Sequence, residues 1–110
     1  MSLSTHVLDT AGGQPAIGVA VLAERATEDG WVALGQGETD ADGRIADLVT
    51  GDQIPGAHRL TFDTGTWYAE QGTTTFWGDI VITFEVTQPD QHHHVPLLLS
   101  PFGYSTYRGS

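Results

Sequence analysis

The 110-residue chain contains no cysteine. Disulfide staples, a cysteine nucleophile, thiolate zinc sites and iron–sulfur clusters are excluded together. The same absence fits a reducing, cytoplasmic setting. Lysine is also missing, so Schiff-base chemistry and a phosphate-binding P-loop are excluded. The cations that remain are Arg25, Arg44, Arg59 and Arg108, against 14 acidic residues, for a net charge of −10. A chain so acidic has no patch to follow a nucleic-acid backbone or an anionic membrane surface, and neither partner is expected. Apolar residues make up 39% of the chain, and no apolar run approaches the ~18 residues of a membrane span. The opening Met1-Ser2-Leu3-Ser4-Thr5-His6 has no basic region leading into an apolar stretch, so no secretory signal is expected.

Long helices are lacking as well, because glycine and proline punctuate the chain too often. What is present is a series of short, alternating segments separated by turn signals. That pattern predicts an all-β sandwich or barrel forming one domain over residues 1–110. Extended segments are expected at Leu3–Leu8, Ile17–Glu24, Trp31–Gln36, from Arg44-Ile45, at His58–Asp63, at Ile80–Val86, at His92–Leu99 and at Gly103–Tyr107. In the second, Ile17, Val19, Val21 and Ala23 share one face. In Ile80–Val86 the apolar Ile80, Ile82, Phe84 and Val86 alternate with Val81, Thr83, Glu85 and Thr87, which reads as a half-buried strand. Thr66–Gln71 predicts one short helix ending at Gly72. Val95-Pro96-Leu97-Leu98-Leu99 does not alternate. Both of its faces ask to be covered, by a loop or, as favoured here, by a second subunit.

Three features carry possible chemistry. A strand places His92 and His94 on one face and His93 on the other. Two imidazoles at i and i+2 can chelate a metal or supply a base and a donor, and they can equally be an exposed polar strand end. Arg44 follows the Asp42-Gly43 turn and opens a strand, where it can orient an anionic or carbonyl-bearing ligand or pair with a nearby Asp. Tyr104-Ser105-Thr106-Tyr107-Arg108-Gly109-Ser110 concentrates hydrogen-bonding groups that a merely fraying end does not need. Ser4 and Ser100 show no nucleophile context such as an elbow motif.

Several blocks make the chain resemble the transthyretin-related 5-hydroxyisourate hydrolase family. They are Leu3-Ser4-Thr5-His6-Val7-Leu8-Asp9-Thr10 with Gly13-Gln14-Pro15-Ala16, then Thr39-Asp40-Ala41-Asp42-Gly43-Arg44, and finally His92 through Ser110 ending in Tyr107-Arg108-Gly109-Ser110. Phe62-Asp63-Thr64-Gly65 and Phe84-Glu85-Val86 extend the likeness across the middle of the chain. Two departures stand out: His93 replaces a usual Tyr, and Trp77-Gly78-Asp79 stands where an aromatic, a Pro and an acid are usual.

The resemblance implies a transthyretin-like, eight-stranded two-sheet sandwich with one short helix. It implies a homotetramer built as a dimer of dimers, with sites in the channel between dimers. It also implies hydrolysis of the N1–C6 lactam bond of 5-hydroxyisourate, in urate breakdown, to 2-oxo-4-hydroxy-4-carboxy-5-ureidoimidazoline. By position, the catalytic residues are His6, Arg44, His94 and Ser110, and His6, Arg44 and Tyr107 bind substrate. No cofactor and no metal are called for, although a channel His pair can pick up zinc. Two other readings compete: a ligand carrier on the same sandwich, and a zinc hydrolase using His6, His92 and His94.

Overall fold

The computed structural model describes residues 2–110. Nine strands and one helix follow in the order β1 (Ser2–Asp9), β2 (Gln14–Pro15), β3 (Ala20–Thr27), β4 (Gly30–Glu38), β5 (Arg44–Thr50), β6 (Gly56–Phe62), α1 (Thr64–Glu70), β7 (Ile80–Val86), β8 (His93–Ser100) and β9 (Gly103–Thr106). They form two sheets. One has the order β4-β3-β6-β7; the other runs β2-β1-β8-β9, with β5 also paired to β1. Facing side chains fill the space between the sheets: Leu3, Val7, Val95, Leu97 and Leu99 from one, Val21, Ala23, Leu60, Phe62, Ile80 and Ile82 from the other. Of the sandwich or barrel that the alternation predicts, this is the two-sheet sandwich that the resemblance implies, with its single short helix; the two-residue β2 makes nine strands instead of eight.

Local chemistry moves some boundaries. The strand expected from Ile17 starts only at Ala20 and runs on to Thr27. Ile17 is 57% exposed rather than inward. Gly18 has φ +84°, a value that breaks the extended run between Ile17 and Val19. Val19, Val21 and Ala23 are buried as expected. The helix begins two residues earlier than expected, because Asp63 caps it by accepting from the Thr66 amide. The Gln14–Pro15 strand falls inside a segment that reads as a turn.

The decisive pairing for function is β1 with β8, which run parallel with Leu3 beside His93, Ser4 beside His94 and His6 beside Pro96. On the other flank of β1, antiparallel β5 brings Arg44 beside His6. The β1–β5 ladder shifts register between Leu3 and Thr5, at the position of Ser4. Alternation turns Leu3, Thr5 and Val7 into the sandwich and Ser4 and His6 onto the outer face. The non-alternating run is explained in part. Val95, Leu97 and Leu99 face the core and Pro96 is buried within the chain, whereas Leu98 is only half-buried.

Candidate active site

The outer face of β1 and β8 alternates in a way that single strands do not reveal. Parallel pairing sets Ser4 against His94; the strand expected from His92 begins only at His93, and His92, just before it, is held against Ser2 and Ser4 by side-chain bonds. A chain of hydrogen bonds results: Ser2 Oγ with His92 Nδ1 at 2.7 Å, His92 Nε2 with Ser4 Oγ at 2.9 Å, and Ser4 Oγ with His94 Nδ1 at 2.7 Å. The two imidazoles lie nearly parallel, with ring centres 6.4 Å apart. One residue pair further along the same face come His6 and its β5 neighbour Arg44.

Arg44 is placed by the Asp40–Gly43 turn. The Asp40 carboxylate accepts from the amides of Asp42 at 2.9 Å and Arg44 at 3.0 Å. Those two amides hold the Asp40 carboxyl below its ordinary pKa. Gly43 has φ +74°, and a Cβ there would collide with the Val7 carbonyl and the Pro15 ring. Its own carbonyl accepts from the Val7 amide at 2.7 Å. The turn is thereby locked onto β1, and Arg44 onto His6. Arg44 makes no salt bridge among the described residues; the ion pair present joins Arg59 to Glu24.

Beyond β9 the chain folds back over this face. The Gly109 amide donates to the His94 carbonyl at 2.8 Å. A Cβ at Gly109 would overlap the His94 ring at Cδ2 and lie 3.0 Å from Cγ. This close approach carries Ser110 into a cavity of about 240 Å³ that it lines with Ser4, Thr5, Arg44, Ala46, His92 and His94. Larger hollows lie elsewhere, along β3–β4 and beside α1, and contain neither an imidazole nor an arginine.

The electrostatics favour neutral imidazoles. Burial, then the Arg44 charge, hold His94 below its usual pKa, with His6 and His92 adding to the effect. His6 is lowered for the same two reasons, opposed by the Asp42 backbone and by the charges of Asp40 and Asp42. At neutral pH the site therefore presents unprotonated ring nitrogens beside a permanent cation. His94 Nδ1 is engaged by Ser4, which leaves Nε2 as its available atom.

Of the residues singled out in the sequence, Arg44, His92, His94 and Ser110 line one cavity; His6 is not in its lining and stands beside Arg44 in the β1–β5 ladder. Tyr107 is 59% exposed and does not line that cavity; it lines a second hollow with Phe84, His93, Arg108 and His94, which the two hollows share. His93 faces the core, as alternation predicts, and is buried. Among the described residues, no group of three His, Asp or Glu side chains is arranged to hold a metal ion. Ser4 and Gly109 belong to the site although neither is singled out by sequence. Only the register of β1 on β8 and the path of the tail reveal them.

The HIUase/Transthyretin family profile matches residues 3–109. The chain belongs to this family. A 5-hydroxyisourate hydrolase of Salmonella dublin is 45% identical over 109 residues, spanning 98% of this chain and 80% of that protein. The solved 5-hydroxyisourate hydrolase of Klebsiella pneumoniae superposes with a TM-score of 0.88 at 39% identity, covering 100% of both chains. Sea bream transthyretin, solved with thyroxine, superposes with a TM-score of 0.90 at 36% identity, over 99% of this chain and 95% of that one. The family thus includes both a hydrolase and a thyroxine binder on one fold, and the side chains of the site have to decide between them.

Proposed function

We propose that this chain hydrolyses 5-hydroxyisourate to 2-oxo-4-hydroxy-4-carboxy-5-ureidoimidazoline in urate degradation, with His94, His6, Arg44 and Ser110 carrying the reaction. The observation that supports it best is the cavity itself. An arginine without a salt bridge and an imidazole held neutral face the same 240 Å³ space, with Ser110 at its wall.

Opening the lactam requires a base for water, a counter-charge for the carbonyl oxygen and a proton for the departing ring nitrogen. His94 is held neutral at neutral pH and its Nε2 is not engaged by Ser4; in the tautomer whose Nδ1–H donates to Ser4, Nε2 is the bare lone pair that a base needs. Arg44 holds the substrate's oxygens and stabilises the developing oxyanion. His6, next to Arg44, orients the water, and the proton that His94 takes from it goes on to the leaving nitrogen. Ser110 hydrogen-bonds the polar ring edge, and Tyr107, exposed on the preceding turn of the tail, completes substrate binding. The chemistry needs no metal.

The assembly we propose is a homotetramer, a dimer of dimers. The site opens on the outer face of the five-stranded sheet, where Leu98 is half-exposed. A second copy laid on that face covers Leu98. The likeness to thyroxine-bound transthyretin favours a second reading, a carrier on the same face.

Deleting Tyr107–Ser110 separates the two. The core strands β3, β6 and β7 are untouched by that deletion. Size-exclusion mass should stay that of the intact chain while turnover of 5-hydroxyisourate disappears. A truncated protein that keeps the full rate refutes the site; an intact protein that binds but never turns over the compound supports the carrier.

A further inference from the structure

The Ser4 hydroxyl lies between two imidazoles and has no other hydrogen-bond partner among the described residues. It carries one proton. That proton goes to one ring, so the other ring must donate to the Ser4 oxygen. The chain Ser2–His92–Ser4–His94 therefore has two polarities. In the first, His94 Nδ1–H donates to Ser4, Ser4 donates to His92 Nε2, and His92 Nδ1–H donates to Ser2. His94 Nε2 is then a bare lone pair facing the cavity. In the second, every donor and acceptor is exchanged, and His94 presents Nε2–H.

We propose that Ser4 and His92 form a proton relay behind His94. When His94 Nε2 takes a proton from the attacking water, Nδ1 passes its proton to Ser4 as the Ser4 proton moves to His92 Nε2. One N–H forms at each imidazole, one N–H breaks at His94, and the hydroxyl is regenerated. The positive charge appears on His92 instead of His94. His92 is exposed and hands a proton from Nδ1 to solvent at the Ser2 end. The chain is left in its second polarity, with His94 Nε2–H ready to protonate the leaving nitrogen. A proton re-entering at His92 restores the first.

The placement of charge gives the relay its purpose. From β5 and β1, Arg44 and His6 face His94, with Asp40 and Asp42 closer to His6 than to the relay; the tail brings Gly109 and Ser110, the latter with its α-carboxylate, and Arg108 acts on His93 instead. An imidazolium at His94 is opposed by Arg44, whereas one at His92 is a ring further out, in contact with water. Burial and the neighbouring cations already disfavour protonated His94. This inference rests on the hydrolase reading, and its tests include one that does not.

The kinetic test uses the full chain with His92→Ala, His92→Gln and Ser4→Ala, in a weakly basic buffer to which imidazole is added. His92→Ala should lose about tenfold in kcat with KM little changed, a part of the ~10²–10⁴ that positioned proton transfer contributes. Added imidazole should restore it with saturation. His92→Gln can hold the Ser4 hydroxyl but cannot carry a proton, and should be as slow as His92→Ala. Ser4→Ala breaks the relay between the two rings and should be slowed to the same degree.

Wild-type kcat in His92→Gln overturns the relay, as does a His92→Ala loss that imidazole leaves untouched. If the wild-type chain does not turn over 5-hydroxyisourate at all, the hydrolase reading fails, and the relay is judged in the resting protein by ¹⁵N NMR of its histidines. His92 and His94 should then share one tautomer, whichever it is. Opposite tautomers overturn the proposal.

Discussion

Gly109→Ala isolates one contact. Gly109 is not among the glycines with positive φ, so alanine introduces no backbone strain. What it introduces is a methyl group against the His94 ring. The new carbon would overlap His94 Cδ2, and would stand 3.0 Å from Cγ and 3.1 Å from Cβ. Carbon atoms settle at about 3.5–4.0 Å, so either the ring or the tail must retreat by roughly 1 Å. Retreat of the ring strains the 2.7 Å bond from His94 Nδ1 to Ser4. Retreat of the tail strains the 2.8 Å bond from the Gly109 amide and withdraws Ser110. A misplacement of about 1 Å can cost ~10²-fold in rate, and that is the expected loss in kcat. The fold should be spared, because the tail is no part of the core. The assay is steady-state hydrolysis of 5-hydroxyisourate beside a thermal melt and size-exclusion mass. A variant with unchanged melt, mass and kcat refutes the claim that the tail positions His94.

Three further outcomes are expected. Arg44→Lys keeps the charge but loses the planar fork, and should lower kcat/KM by about 10²-fold, the scale of one lost oxyanion donor; near-wild-type activity makes Arg44 a steering charge only. Because His6 and His94 are both held below the usual imidazole value, the base is active when deprotonated. The plot of kcat/KM against pH should therefore be flat at neutral pH and fall only as pH drops through a value under about 6.5, the ordinary histidine pKa; an acidic limb centred above that value contradicts the assignment. Exhaustive chelation should leave activity within about twofold of the untreated protein, whereas loss restored by zinc moves the three-histidine metal reading to the front.

How much of this was legible in the sequence differs by element. Ile80–Val86 could be read directly, since Ile80, Ile82 and Val86 are buried and alternate with exposed neighbours. Arg44 was legible too, because Asp-Gly before it is a local turn signal and the turn is made by local bonds. Ile17 misled the alternation: a glycine beside an apolar residue looks like strand interior until its positive φ is known. Ser4 was passed over because its role is not local. Its two bonds reach residues 88 and 90 positions away. A serine with no nucleophile motif acquires meaning only when parallel pairing sets it between two histidines. Gly109 is similar: in the sequence it is one residue of the terminal block, and only the folded tail shows that a side chain there would strike His94. Tyr107 illustrates the opposite case, since the motif that points to it places it, in the single chain, outside the cavity that holds Arg44 and Ser110, in a neighbouring hollow that shares only His94 with that cavity.

The central claim is that the cavity between β1, β5 and β8 is a site of turnover. It is tested most directly by generating 5-hydroxyisourate freshly and following its ultraviolet decay with and without the intact chain. The decay should accelerate in proportion to the chain's concentration and fall back to the spontaneous rate when His94 is replaced by alanine. A decay rate that the intact chain leaves unchanged, or that His94→Ala accelerates as well as the intact chain does, contradicts the account.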